Sequence, residues 1–220
     1  MRIVRKLGFT LLAAVIPTVA GGQQVNPRSG FQDSWYWGAK GGVASFDANG
    51  SGRVSKPSVG AEWLITRSRG ALYVSIDQAF FDDVAGVYDP SVAGSVRPVS
   101  ISDLRRYSAG LLAFPVAFGS LRPYAGLGLS INVIQSADPA GTFVSTTSQA
   151  SVFKAVQQQT SKVSAVFTGG AHVVFGRIAL FGQASAMPTR NNFLISGSSH
   201  TFLLEGGIRY NLASAIEQLK

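Results

Sequence analysis

Two histidines and no cysteine make up the chain's whole stock of neutral-pH catalysts and soft metal ligands. Disulfides, thiol nucleophiles and thiolate metal sites are excluded at once. His172 and His200 fall near opposite ends of two extended segments. At ~3.3 Å per residue their heights differ by more than ~20 Å, too far to share a metal ion or act as a catalytic pair. His200 has Ser198 and Ser199 beside it, with Glu205, Asp82, Asp83 and Asp103 as nearby carboxylates. Nucleophilic chemistry needs such a trio, but serine is abundant here and the coincidence carries little weight. Asp47-Ala-Asn-Gly50 opens like a calcium loop, lacks the later acidic ligands and reads as a turn. No phosphate-binding loop or zinc spacing is present. The expectation is no enzyme, no cofactor and no metal.

The more informative charged residues are Lys40, Glu62, Asp77, Arg106, Glu205 and Arg209. Each lies on the polar face of a segment in which apolar and small residues alternate. Eight such segments recur, at 34–46, 56–66, 71–81, 102–114, 122–135, 161–175, 177–187 and 199–212. In the fifth, Ala125, Leu127, Leu129, Ile131 and Val133 oppose Gly126, Gly128, Ser130 and Asn132. A period of two over such lengths is the mark of strands, and each is long enough for a tilted membrane-crossing strand. The connections alternate too. Those at 47–55, 82–101, 136–160 and 188–198 are long and polar, whereas those at 67–70, 115–121 and Gly176 are short. An even number of strands with long loops at one end and short turns at the other fits an all-β, eight-stranded antiparallel up-and-down transmembrane barrel, closed because an open edge in lipid would leave backbone groups unsatisfied. A ten-stranded form, using 142–157 as an extra hairpin, is the alternative. Residues 151–157 are read as a short helix or as an extension of the sixth strand.

Composition agrees. Of 220 residues 46% are hydrophobic and 14% charged, which excludes a disordered chain. Residues 1–22 have a basic start, an apolar run and small residues at the end, the pattern of a cleaved signal peptide. Removing them leaves 16 of the 19 basic residues against 11 acidic ones and lowers the net charge from +8 to +5. The basic residues are scattered, so a nucleic-acid partner is not expected, and a mild positive excess suits anionic lipid. No later segment is long and apolar enough for a spanning helix.

Aromatic residues fall into two groups. Trp35, Trp37, Trp63, Tyr73, Phe114, Tyr124, Phe175, Phe181 and Tyr210 lie toward the short-turn end. Phe46, Phe80, Phe81, Phe193 and Phe202 lie toward the long-loop end. Two girdles at the membrane interfaces are the expectation, with Trp35, Trp37, Trp63, Phe175 and Tyr210 its core members.

The alternating strands, the signal-like start and the segments Tyr36-Trp-Gly-Ala-Lys-Gly-Gly42, Pro123-Tyr-Ala-Gly-Leu-Gly128 and Gly206-Gly-Ile-Arg-Tyr210 resemble small bacterial outer-membrane β-barrel proteins of the OmpA/OmpX type. The resemblance covers the whole chain after residue 22. It implies a barrel over 23–212 in the outer membrane of a Gram-negative cell envelope, a short periplasmic tail at 213–220, and short turns facing the periplasm. It also implies outer-membrane lipid and the outer-membrane assembly machinery as partners, and a monomer. Members often end on an aromatic residue, whereas here Tyr210 is followed by ten more residues. Some such barrels modify lipid A, for which His200 is the candidate here, the weakest of the functional readings.

An eight-stranded barrel has an interior that side chains can fill. The six inward charges, three of each sign, stand on strands consecutive around the wall, in the order Arg209 and Glu205, Lys40, Glu62, Asp77, Arg106. Buried charges must be paired. The expectation is therefore an ion-pair network that plugs the lumen, with a structural or surface-interaction role carried by the long loops. A narrow small-solute channel, or an ion relay along the charges, is the alternative.

Overall fold

Residues 31, 33–48, 52–188, 193–195 and 200–214 are described by the computed structural model. Eight strands, β1 (Ser34–Ala48), β2 (Gly52–Arg67), β3 (Gly70–Tyr88), β4 (Val96–Ala113), β5 (Leu121–Pro139), β6 (Ser161–Phe175), β7 (Ile178–Pro188) and β8 (His200–Ser214), pair each with the next, and β8 closes on β1. All pairings are antiparallel, and at the seam Lys40 stands opposite Gly207 and Trp37 opposite Tyr210. The strand from Ser161 to Phe175 coincides with its sequence expectation; the others extend beyond theirs at one end or both. The expected signal segment at 1–22 lies outside the described residues. So does most of the expected tail, although β8 itself runs through Ser214.

The segment expected as loop 82–101 is mostly wall. β3 continues to Tyr88 and β4 begins at Val96, so the connection shrinks to a tip that includes a 3-10 turn, Ala93–Ser95. The expected break fails because polar residues such as Asp82, Asp83 and Ser100 sit on strands whose ladder runs on past the barrel body. A β-bulge lies between Ala79 and Asp82, where Phe80 and Phe81 face Asp103. Asp103 has a φ of 52°, and its Oδ1 accepts a hydrogen bond from the Phe81 backbone N–H at 3.2 Å. The bulge switches the inward parity of β4, so Arg97 and Arg106 both point inward although they differ in parity.

Residues 142–157 do not form a hairpin, and among the described residues the barrel has no ninth or tenth strand. A helix, α1 (Thr146–Gln158), occupies that stretch. Ser145 caps it by accepting a hydrogen bond from the Ser148 N–H at 3.1 Å. Val152 and Val156, four apart on one helix face, are buried in the apolar cluster at the long-loop mouth that also includes Phe46, Ile134, Phe193 and Ile195.

The interior is layered. An apolar cluster including Phe46, Phe81, Ile101, Leu104 and Leu203 lies toward the long-loop end. A second cluster, Phe31, Tyr36, Leu64, Tyr73, Leu112, Phe114, Tyr124 and Ala179, lies toward the short-turn end. This corrects part of the girdle expectation: Phe46, Phe81, Phe193, Tyr73, Phe114, Tyr124 and Phe181 are buried. Height along a strand had grouped them; parity puts them inside, since Phe46 shares its face with Lys40 and Tyr73 shares its face with Asp77. Trp35, Trp37, Trp63, Phe175 and Tyr210 face outward and are exposed, as are Phe80 and Phe202.

Inward glycines let neighbouring strands coil tightly. A Cβ on Gly128 would lie 2.2 Å from the Ala109 carbonyl oxygen and 2.7 Å from the Gly110 Cα, whereas one on outward Gly182 would meet nothing within 4 Å. Gly128→Ala is therefore expected to cost about 1–3 kcal/mol through forced backbone shifts, and Gly182→Ala to be neutral or slightly stabilising. Urea unfolding of the two variants, followed by tryptophan fluorescence, measures the difference.

Candidate functional site

The six charged residues expected inside the lumen come together in one buried layer between the two apolar clusters. They come from β1, β2, β3, β4 and β8, where alternation turns every second side chain inward. The facing wall carries small inward residues, Gly128, Ser130, Ser164, Thr168, Gly170 and Ser185, which leave room for long side chains to cross.

Lys40 is the hub. Its Nζ lies 2.8 Å from Asp77 Oδ1, 3.2 Å from Glu205 Oε2 and 4.0 Å from Glu62 Oε2. It also donates a hydrogen bond to the Tyr73 hydroxyl at 2.9 Å. Arg106 Nη2 reaches Asp77 Oδ2 at 3.0 Å and Glu205 Oε1 at 3.5 Å. The latter contact joins β4 to β8, strands that are not neighbours in the wall, so the charges do not simply follow strand order; the network closes on itself across the lumen. Arg209 pairs through Nε with Glu62. Its guanidinium stacks over the Phe181 ring with the Cζ 3.8 Å from the centroid.

Four further residues belong to this layer, none of which the sequence reading assigned to the ionic network. Gln183 donates to Glu205 Oε2 at 2.9 Å and to the Tyr73 hydroxyl at 3.3 Å. Tyr124 donates to Gln183 Oε1 at 2.9 Å and accepts from Arg209 Nη2 at 3.4 Å. His172 Nδ1 lies 3.2 Å from Arg209 Nη1. Their signal was parity: Tyr73, Tyr124, His172 and Gln183 all sit on inward faces, yet tyrosine reads as a girdle residue and glutamine as filler.

His172 is fully buried, with the Phe31 and Phe114 ring centroids each 5.2 Å from its own. Its Nε2 has no hydrogen-bond partner. An aromatic cage of this kind offers neither a carboxylate to orient the ring nor a nucleophile to deprotonate. His200 stands at the other end, its ring stacked on Phe202 with centroids 6.1 Å apart. Asp82, Asp83, Ser136 and Asp138 line an open cleft on the part of β3–β5 beyond the barrel body, with Lys56 Nζ 3.9 Å from Asp83. Among the described residues no group of three His, Asp or Glu is placed to hold a metal ion.

No protein-family model matches the sequence, and no curated protein matches it either. Among solved structures the chain is similar to Neisserial surface protein A, with a TM-score of 0.54 at 13% identity, over 81% of this chain and 97% of that one. The chain has the fold of a small outer-membrane β-barrel protein. It is also similar to Ail, the attachment invasion locus protein of Yersinia pestis (TM-score 0.43, 10% identity, 82% of this chain and 100% of that one). A third is the outer membrane protein OprG from Pseudomonas aeruginosa (TM-score 0.40, 12% identity, 83% and 95%).

In a barrel of this fold the outward band is apolar, and here Leu111, Leu127, Leu129 and Leu204 are more than 60% exposed on it. Beyond that band, at the long-loop end, a second ion pair ties the loops together. Arg97 Nε lies 2.6 Å from Asp89 Oδ2. Its Nη1 and Nη2 donate to the carbonyls of Ala140 and Thr142 at 2.7 and 3.2 Å. Its guanidinium Cζ sits 4.2 Å from the Phe143 ring centroid. The β3–β4 tip is thereby clamped to the segment leading into α1. Hydrogen bonds from Ser91 and Arg97 hold the Asp89 carboxyl down at about 2, below its ordinary 3.8.

Two outcomes follow. Removing one partner of a buried pair leaves a bare charge, so Arg209→Met is expected to destabilise by about 3–5 kcal/mol, and the double variant Glu62→Met/Arg209→Met by clearly less; denaturant unfolding in detergent distinguishes them. The depressed Asp89 carboxyl contributes stability that is complete above about pH 4 and is lost as pH falls through about 2. Pepsin cleavage around 140–145 should therefore rise steeply between pH 4 and pH 2, and the rise should vanish in Asp89→Asn, which is cleaved at both.

Proposed function

We propose that the protein is an exported, monomeric outer-membrane barrel whose lumen is plugged by its own side chains, and whose role is structural or lies in surface contacts made by its long-loop end. The observation that carries this reading is the ionic layer held between two apolar clusters. Lys40, Arg106, Arg209, Glu62, Asp77 and Glu205 are each at most 6% exposed, which suits a filled core and not the wet lining of a pore. A porin leaves an aqueous channel by using a wider barrel of more strands. The outward girdle of Trp35, Trp37, Trp63, Phe175 and Tyr210 supports a bilayer as the surroundings. The absence of enzymatic activity belongs to the same proposal, supported by the enclosure of His172 and its distance in height from His200.

The test has two stages. The chain lacking residues 1–22, refolded in detergent, is run on a cold SDS gel with and without boiling. A band that shifts on boiling is the expected outcome; an unshifted band from a chain soluble without detergent would overturn the membrane reading. Planar-bilayer recording on the shifted species is expected to show no steady conductance. Stable, reproducible steps would replace the plugged reading with that of a narrow small-solute channel.

A further inference from the structure

The charges outside the lumen are divided unequally between the two ends. At the short-turn end the described charged residues are Arg67, Arg69, Arg122 and Arg177 against Asp33. At the long-loop end stand six aspartates, Asp47, Asp82, Asp83, Asp89, Asp103 and Asp138, balanced by Arg53, Lys56, Arg97, Arg105, Lys154 and Lys162. Arg122 turns inward and stacks on Phe31, its Cζ 4.4 Å from the ring centroid. The other three are exposed, and the Arg67 side chain is 81% so despite a 3.9 Å contact with Asp33.

Their heights are set by the girdle. Arg67 lies on the outward column of β2, four residues past Trp63 and two past Ile65. On a strand tilted by ~40° that places it about 10 Å below the Trp63 ring along the barrel axis. Arg177 follows Phe175 by two residues in the β6–β7 turn, and Arg69 lies in the β2–β3 turn. Interfacial tryptophans sit at headgroup level, so side chains one step farther out reach the phosphate layer. All three are arginines, whose fork matches a phosphate oxygen pair, while every described lysine outside the lumen lies at the other end.

We infer that the short-turn rim is a binding surface for the phosphate groups of anionic phospholipid in the adjoining leaflet, with Arg67, Arg69 and Arg177 as its contacts. This rests on the membrane reading above. It gives the barrel a fixed depth and a lipid preference confined to one leaflet.

All three tryptophans of the chain lie in the girdle at this end, which makes the test direct. The refolded protein is placed in mixed vesicles of phosphatidylglycerol and phosphatidylcholine in which one lipid or the other carries brominated chains that quench tryptophan. Enrichment of phosphatidylglycerol around the tryptophans by about fivefold is expected, from the attraction of even one well-placed cationic side chain. It should fall below about twofold in Arg67→Gln/Arg69→Gln/Arg177→Gln, and should persist when inorganic phosphate replaces chloride at equal ionic strength. Equal quenching by the two brominated lipids in the wild-type protein overturns the inference, as does loss of the preference to inorganic phosphate or its retention in the triple variant. No quenching by either lipid overturns the membrane reading itself, so the two failures are distinguishable.

Discussion

Three carboxylates and three cations are enclosed in a barrel of eight strands, and a buried charge without a partner costs more than most other defects a core can contain. Much of the interior follows from meeting that constraint. Lys40 touches three carboxylates, Arg106 two, and Arg209 one with an aromatic face above it. The wall opposite supplies glycine, serine and threonine, because side chains that cross a narrow lumen need an unfilled place to arrive. Tyr73, Tyr124 and Gln183 supply further donors and acceptors. The apolar clusters above and below exclude water and thereby strengthen each contact.

The same constraint bears on function. The plugged reading proposed above rests on this layer, which is neutral and whose members are paired with one another. The outside presents an apolar band, an arginine rim at one end, and at the other a sheet extension capped by α1 and clamped by Arg97. That clamp is built as the lumen is, from a buried cation, a carboxylate and an aromatic ring, but it holds loops rather than strands. It explains how a long connection rich in Ser, Thr and Gln can pack over the mouth while burying little beyond Val152 and Val156.

The strand pattern was legible because a wall one residue thick, with an apolar outer face and packed side chains within, forces period two on the sequence. The girdle was legible in part. Trp35, Trp37 and Trp63 lie on the apolar face and point outward, whereas Phe46 and Tyr73 have the right height and the wrong parity. The extension of β3 and β4 was not legible. Past the barrel body the polar residues Asp82, Asp83 and Ser100 interrupt the alternation, so Asp82 to Ser100 looked like a loop. Nor was the bulge at Asp103, a single residue of positive φ that reverses which side chains of β4 face inward.

By itself the sequence determined the closed antiparallel up-and-down topology and the six charges turned toward the lumen, since both follow from alternation and from the cost of an open edge or an unpaired charge; it left eight strands and ten open, and α1 at Thr146–Gln158 decided for eight. The tertiary structure alone decided who pairs with whom. Arg106 meets Glu205 across the lumen because curvature and the stagger of the closed sheet bring β4 opposite β8, and the Phe31 ring packs edge-on against His172 of β6. Such contacts depend on distances across a closed wall, which no local pattern along the chain encodes.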